Sequence, residues 1–147
     1  MTVELITPDT DVLDPALRVY LLGSVDFDSA LRLQHALVYQ VAGDRRAAAL
    51  VLCEHPPLIT VGRDGSPADV RCGPEELRAR RWRVRWVNRG GGSLLHLPGQ
   101  LAVYPVVPLD SYRLGVEAYL GRLHDVLLAV LDDFGIQGHT RPGQPGV

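Results

Sequence analysis

Apolar residues along the chain recur at spacings that predict alternating strands and helices. Residues 17–22 form a short apolar run that predicts a strand, and residues 47–53 form a continuous run that predicts a central, buried strand. Between them, apolar positions fall on one face of a helix over residues 26–41, with Asp26 where an N-cap residue belongs. Residues 58–61 resume an extended conformation after two prolines that end the central strand.

The second half of the chain continues this alternation. A proline followed by two glutamates predicts a short helix over residues 74–81. In residues 82–87, tryptophan and valine alternate with arginine, which predicts a strand with one buried face. A further strand is predicted over residues 101–107, and a helix over residues 116–134 with Gly135 at its C′ position. This order predicts an α+β fold, a mixed β-sheet flanked by helices.

The composition is typical of a globular domain, with 46% hydrophobic and 22% charged residues in 147. We therefore expect residues 1–147 to form a single domain. The net charge of −2 does not indicate a nucleic-acid partner, and no apolar run approaches the ~20 residues of a membrane span. The acidic segment 1–14 has no targeting features, so we expect a cytoplasmic protein with reduced thiols. All 15 basic residues are arginine, which leaves no lysine for catalysis.

Residues 89–100 are the strongest candidate for a functional loop. The three consecutive glycines at positions 90–92 allow φ > 0 and let a ligand approach the backbone amides. Arg89 stands at one end of the glycines and His96 near the other, a combination that suits an acyl, carboxylate or phosphate group. A tight connection between two strands is an alternative that composition alone leaves open. The spacing fits neither the dinucleotide fingerprint nor a Walker-type phosphate loop.

Other polar residues have simpler interpretations. The prolines after His55 shape the end of a strand, although Arg63 beyond them could face the same polarised group as Arg89. Cys53 is interpreted as a buried, inert thiol. Cys72 precedes a helix, where a thiol can become reactive, but it has no histidine nearby in sequence. No residues have the spacing of a zinc site, so no metal is expected.

Two blocks of the sequence carry a family resemblance: Glu54-His55-Pro56-Pro57-x-x-Thr60-x-Gly62-Arg63 and Arg89-Gly90-Gly91…His96-x-Pro98-Gly99-Gln100…Tyr104-Pro105. Together they resemble one family, the lipoyl(octanoyl) transferases. The resemblance implies the fold of biotin and lipoate protein ligases. It also implies transfer of an octanoyl or lipoyl group from acyl carrier protein to a lysine of lipoyl domains, in lipoate biosynthesis. The implied partners are octanoyl-acyl carrier protein, the lipoyl domains of 2-oxoacid dehydrogenases and the glycine cleavage H protein. No cofactor is implied.

The resemblance assigns substrate binding to eight consecutive residues: Arg89, Gly90, Gly91, Gly92, Ser93, Leu94, Leu95 and His96. Leu94 stands where the family usually has threonine, and Leu97 where it usually has glycine, which puts the loop geometry in question. The family's nucleophilic cysteine and lysine lie further along the chain, and neither Cys53 nor Cys72 aligns with that cysteine. No catalytic residue is therefore assigned. We expect the N-terminal part of a catalytic domain, an incomplete fold that is inactive by itself and that either aggregates or needs a partner segment.

Two alternatives remain open beside the transferase. One is an ATP-dependent enzyme resembling lipoate–protein ligases, which have a related loop of arginine, glycines and histidine. The other is a non-catalytic module that binds an acyl group or a protein. The run Pro98-Gly99-Gln100 and the pair Tyr104-Pro105 favour the transferase.

Overall fold

The computed structural model describes residues 16–44, 46–144 and 146–147, and this part of the chain divides into two units, with the division between Val106 and Val107. The acidic segment 1–14 lies outside the described residues. The first unit contains the following elements: β1 (Ala16–Ser24), α1 (Phe27–Gly43), β2 (Ala47–Glu54), β3 (Leu58–Val61), α2 (Pro74–Ala79), β4 (Arg83–Trp86), β5 (Ser93–His96) and β6 (Ala102–Val106). The second unit contains α3 (Val116–Asp133). Short 3₁₀ helices cover Pro67–Asp69 and Leu109–Tyr112.

The strands of the first unit form two three-stranded sheets rather than one. In the first, β2 pairs in parallel with β1 and antiparallel with β6; in the second, β3 pairs in parallel with β4 and antiparallel with β5. Both sheets are mixed, which confirms the α+β prediction. The ladder breaks between β2 and β3 because Pro56 and Pro57 have no amide hydrogen to donate, so the chain leaves one sheet and enters the other.

Helix α1 packs against the first sheet and forms the core with it. Leu37 of α1 and Ala49 and Val51 of β2 are buried at the centre of this core. Partly buried apolar side chains from β1, α1 and β6 surround them: Tyr20, Leu22, Leu33, Tyr104 and Val106. The central position predicted for β2 is confirmed, because its side chains are buried or half-buried throughout.

The N-cap predicted for α1 is also confirmed. The Asp26 carboxylate accepts a hydrogen bond from the Ser29 amide at 3.0 Å, which closes the first turn of the helix. The hydrogen bonds from Ser29 lower the pKa of the Asp26 carboxyl, because they favour its charged form. The sequence pattern therefore identified the N-cap residue of α1 correctly.

Two strand predictions need correction. The buried face predicted for β4 is wrong: all four of its residues are exposed, with Trp86 at 55%. This strand lies at the edge of its sheet, and its charged residues are engaged at the surface, where Arg85 pairs with Asp28 at 3.0 Å. The predicted loop over residues 89–100 contains a strand, β5, because four residues after the glycines pair with β3. Its flanking glycines and proline conceal it in the sequence.

In the second unit, α3 ends as the sequence predicts. Gly135 has φ +70° and donates to Asp132 O at 2.8 Å, and the Ile136 amide donates to Leu131 O at 2.9 Å. These are the hydrogen bonds of a helix end closed by a left-handed residue. Among the helices of the described ranges, none combines the length and apolar character that crossing a membrane requires.

Candidate functional site

The glycine segment between β4 and β5 is fastened to the turn that follows β3. Three amides of that turn donate to loop carbonyls: Gly62 N to Gly92 O (3.1 Å), Arg63 N to Arg89 O (2.9 Å) and Asp64 N to Gly91 O (3.2 Å). The remaining carbonyl, that of Gly90, accepts from Arg89 Nη1 at 2.9 Å. Every carbonyl of residues 89–92 therefore accepts a hydrogen bond from the protein.

This close approach depends on glycine at two positions. A Cβ on Gly62 would collide with the carbonyl oxygen of Gly91 and lie 3.0 Å from the Arg89 carbonyl. Gly91 has φ +75°, a left-handed conformation that other residues rarely adopt. The glycines therefore serve the packing of two backbone segments against each other, which is the physical basis of the pattern seen in the sequence.

Two carboxylates support the same segment from outside. Asp64 Oδ2 accepts from the Gly91 amide at 2.8 Å, so both backbone groups of Gly91 are bonded to Asp64. Asp69 Oδ2 accepts from Ser93 Oγ at 3.3 Å and from the Ser66 amide at 2.8 Å. Within the described part of the chain, the amides of Gly90 and Gly92 have no hydrogen-bond partner. The segment thus keeps two free, uncharged backbone donors.

The guanidinium of Arg89 folds into the protein. Its Nη2 donates to Thr60 O at 3.0 Å and to Thr60 Oγ1 at 2.9 Å, and its buried Nε has no partner among the described residues. Arg63 instead reaches Asn88 Oδ1, at 3.5 Å. Arg89 is therefore committed to protein oxygens and holds the loop backbone, rather than standing beside Arg63 as a free cation.

His96, the last residue of β5, lies at the buried end of the segment. It is 7% exposed, its Nε2 is 3.1 Å from Thr60 Oγ1, and its ring centroid lies 5.7 Å from that of Phe27. Burial, the nearby His55 and the Arg89 charge lower the pKa of this imidazole, so it is neutral at pH 7. Its Nδ1 has no partner in the ranges that the structure describes. Leu94 and Leu95, just before it, are 43% and 36% exposed.

A second buried histidine adjoins the first, with ring centroids 5.5 Å apart. His55 Nδ1 is 2.9 Å from Val25 O, and its Nε2 is 2.8 Å from Tyr104 Oη. Because a carbonyl only accepts, Nδ1 carries the proton and Nε2 accepts from the tyrosine hydroxyl. Burial, together with the neighbouring Cys53, raises the pKa of Tyr104 to about 12. We did not predict the His55–Tyr104 pair from spacing, because 49 residues separate the two residues in the sequence. Both residues belong to the two blocks that resemble the transferase family.

The cysteines differ in accessibility. Cys53 is 2% exposed and burial raises the pKa of its thiol, which fits its interpretation as an inert thiol. Cys72 is half-buried, just ahead of α2. Within the described ranges, no cluster of three or more histidine, cysteine or acidic residues has the arrangement of a metal site.

The turn after His96 accommodates the unusual leucine. Leu97 does not have positive φ; that conformation falls on Gly99, at +84°. The amides of this turn are held by side chains, since Gly99 N donates to Glu54 Oε2 at 2.7 Å and Leu97 N to Gln100 Oε1 at 3.2 Å. The replacement of the family's usual glycine by Leu97 therefore causes no backbone strain.

Comparison with known proteins identifies the family. The model of the lipoyl protein ligase A/B catalytic domain matches residues 26–147, and the chain belongs to this family. It is 37% identical over 131 residues to the octanoyltransferase of Chloroflexus aggregans, covering 89% of this chain and 59% of that protein. It is 36% identical over 126 residues to the octanoyltransferase of Geotalea uraniireducens, covering 86% and 56%. The chain thus spans under two thirds of the length of these relatives.

Solved structures with low sequence identity share the fold. A crystal structure of lipoate-protein ligase A bound with ATP matches with a TM-score of 0.71 at 16% identity, covering 88% of this chain and 52% of that one. The Ta0514 protein of T. acidophilum with bound lipoic acid matches with a TM-score of 0.59 at 18% identity, covering 86% and 51%. These matches confirm the predicted lipoate protein ligase-like fold.

Proposed function

We propose that this chain forms the acyl-binding part of an octanoyltransferase, which moves an octanoyl or lipoyl group from acyl carrier protein to a lysine of lipoyl domains. The observation that supports this most directly is the set of uncharged donors on the glycine segment. The amides of Gly90 and Gly92 and the Nδ1 of His96 lack partners among the described residues. A thioester carbonyl is a neutral acceptor that suits such donors, and the exposed Leu94 and Leu95 offer apolar surface to an alkyl chain.

A specific observation favours the transferase over an ATP-dependent ligase. The Gly91 amide, at the centre of the segment, is already occupied by the Asp64 carboxylate, and the Asp69 carboxylate lies against Ser93. A phosphate that took the Gly91 amide would have to displace the Asp64 carboxylate, and it would lie near the negative charge of Asp69. A neutral thioester meets no such repulsion.

The eight residues from Arg89 to His96 are proposed to act in two ways. Gly90, Gly92 and His96 offer uncharged donors to the thioester end of the substrate, and the side chain of Leu94 or of Leu95, which project to opposite faces of β5, offers apolar surface to the alkyl chain. The segment is held by three pairs: Arg89 with Thr60, Gly91 with Asp64, and Ser93 with Asp69. Arg89 therefore shapes the site.

The proposed partners are octanoyl-acyl carrier protein as donor, and the lipoyl domains of 2-oxoacid dehydrogenases and the glycine cleavage H protein as acceptors. The proposal includes no cofactor. Neither cysteine is proposed as the nucleophile, since the Cys53 thiol is buried and its raised pKa keeps it protonated. A single domain over residues 1–147 also remains our proposal.

The decisive experiment measures octanoyl transfer from octanoyl-acyl carrier protein to a lipoyl domain, with and without ATP, alongside binding of S-octanoyl pantetheine to the chain. Transfer that does not need ATP, or thioester binding that His96→Asn abolishes and the exposed-helix control His35→Asn preserves, supports the proposal. Transfer only with ATP supports a ligase. Thioester binding without transfer supports an acyl-binding role of this chain by itself. Absence of both contradicts the proposal.

A further inference from the structure

Thr60 joins the two ends of the glycine segment through one hydroxyl group. It lies in β3 and is 0% exposed. Its Oγ1 is 2.9 Å from Arg89 Nη2, before the glycines, and 3.1 Å from His96 Nε2, after them. Because a guanidinium only donates, Oγ1 accepts from Arg89, and its own proton remains for one other partner.

Two acceptors compete for that hydroxyl proton. The Leu94 carbonyl is 3.5 Å from Thr60 Oγ1, at the outer limit for an O–H donor, whereas His96 Nε2 is 3.1 Å away. The positive charge of Arg89 polarises the hydroxyl and strengthens it as a donor to the imidazole. His96 Nε2 therefore accepts, and a neutral imidazole that accepts at one nitrogen carries its proton on the other.

The proton on the other nitrogen has no acceptor in the described part of the protein. His96 is buried and its pKa is lowered, so the ring stays neutral at physiological pH. An imidazole N–H that has no acceptor in the protein is available to a ligand oxygen, which can accept the hydrogen bond that the described residues leave unmade. The adjoining His55 differs in this respect, since both of its nitrogens are satisfied by Val25 and Tyr104.

We propose that Thr60 is a positioning residue that fixes His96 as the Nδ1–H tautomer, so that a neutral imidazole donates to the carbonyl oxygen of the bound acyl thioester. The ligand in this statement rests on the proposed function, whereas the tautomer does not. The inward position of Arg89 also has a role in this arrangement, because the Arg89 guanidinium polarises the Thr60 hydroxyl that orients the histidine.

The first test needs only the unaltered chain. Long-range ¹H–¹⁵N correlation spectra report which nitrogen of each imidazole carries the proton, and the resonance missing from His96→Asn identifies His96. The expected result is a protonated Nδ1 and an unprotonated Nε2 near neutral pH. A protonated Nε2 on His96 would overturn the role of Thr60.

Matched variants then test the hydroxyl itself. Thr60→Val keeps the shape and removes the hydroxyl, Thr60→Ser keeps the hydroxyl, and Tyr104→Phe removes the hydroxyl that donates to His55. We expect Thr60→Val to mix the His96 tautomers and weaken S-octanoyl pantetheine binding about three- to tenfold, the effect of one neutral hydrogen bond. Thr60→Ser should retain both the single His96 tautomer and the thioester binding of the unaltered chain. Tyr104→Phe should leave the His96 spectrum unchanged. An Nδ1–H tautomer that persists in Thr60→Val would overturn the inference, and if that variant does not fold, the unaltered chain and Thr60→Ser decide.

The outcomes separate this inference from the proposed function. Thioester binding by a chain whose His96 is protonated on Nε2 overturns the role of Thr60 and leaves the acyl-binding function supported. An Nδ1–H tautomer in a chain that binds no thioester and transfers no acyl group overturns the acyl-binding function, while the positioning of His96 by Thr60 stands.

Discussion

The two buried histidines of the first unit occupy neighbouring positions but have different surroundings. His55, just after β2, is bonded through both nitrogens, to the Val25 carbonyl and the Tyr104 hydroxyl. His96, at the end of β5, has Thr60 on one nitrogen and no partner among the described residues on the other. A fully bonded buried imidazole stabilises the fold, whereas a half-bonded one keeps a donor for a ligand. The difference separates a structural residue from a functional one.

The largest expected effect comes from replacing each histidine by leucine. His55→Leu leaves the Val25 carbonyl and Tyr104 hydroxyl without partners, and should lower the free energy of unfolding by about 3 kcal/mol. His96→Leu should cost less than about 1.5 kcal/mol, because the Thr60 hydroxyl can turn to the Leu94 carbonyl. Urea unfolding of both variants checks this. Equal losses would contradict the contrast between the two residues.

A second variant, Gly62→Ala, disturbs the glycine segment that leads to His96 and leaves the surroundings of His55 unchanged. The Cβ of Gly62→Ala would collide with the Gly91 carbonyl, so the glycine segment must shift, at a cost of about 2 kcal/mol. We also expect loss of S-octanoyl pantetheine binding. Gly43→Ala is the matched control: it ends α1, its Cβ meets no atom within 4 Å, and it should change neither stability nor binding appreciably.

If Gly62→Ala kept full thioester binding, the segment would not contribute the binding surface. Calorimetry of unfolding and fluorescence titration with the thioester provide the two measurements. The hydrogen bonds around His55 involve other residues, so its Nδ1–H tautomer should survive in this variant.

Tyr104, the hydrogen-bond partner of His55, makes the stability of the fold depend on pH in the alkaline range. The folded pKa of about 12 exceeds the ordinary value of 10.0, so the folded state holds this proton more tightly than the unfolded state. The associated stability is complete below pH 10 and is lost as the pH rises towards 12. Tyr104→Phe should cost about 1 kcal/mol at pH 7 and remove this alkaline decline. Unfolding curves from pH 8 to pH 11 test it; an unchanged decline in the variant would exclude Tyr104 as its source.

The smallest effect concerns His96 at acid pH. Its folded pKa lies below the ordinary 6.5, so the unfolded state binds the proton more readily. The stability from the neutral ring is present above pH 6.5 and is lost as the pH falls below that value. From pH 7 to pH 5, the free energy of unfolding should therefore fall more steeply in the unaltered chain than in His96→Leu. Parallel curves would show that His96 titrates normally.

The regular elements were predictable because their signals are local. The Asp26 cap, the buried run of β2 and the glycine after α3 each lie within a few residues of the feature they define. The edge strand β4 and the short β5 were mistaken because their burial and pairing depend on a partner strand elsewhere in the chain.

The candidate site was predictable in part for the same reason. The run of glycines and its two flanking residues stand out in the sequence, so the segment itself was found. Its chemistry depends on contacts with Thr60, 29 and 36 residues from Arg89 and His96. No pattern in the sequence indicates that Arg89 turns inward or that one nitrogen of His96 is left over.

The central claim is that the segment from Arg89 to His96 holds an acyl thioester through neutral donors. Backbone and imidazole NMR spectra recorded during titration with S-octanoyl pantetheine test it directly. We predict that the amides of Gly90 and Gly92 and the ring of His96 shift most, while the His55 ring keeps its tautomer. Saturable binding that shifts other residues and leaves these three groups unchanged would contradict the claim.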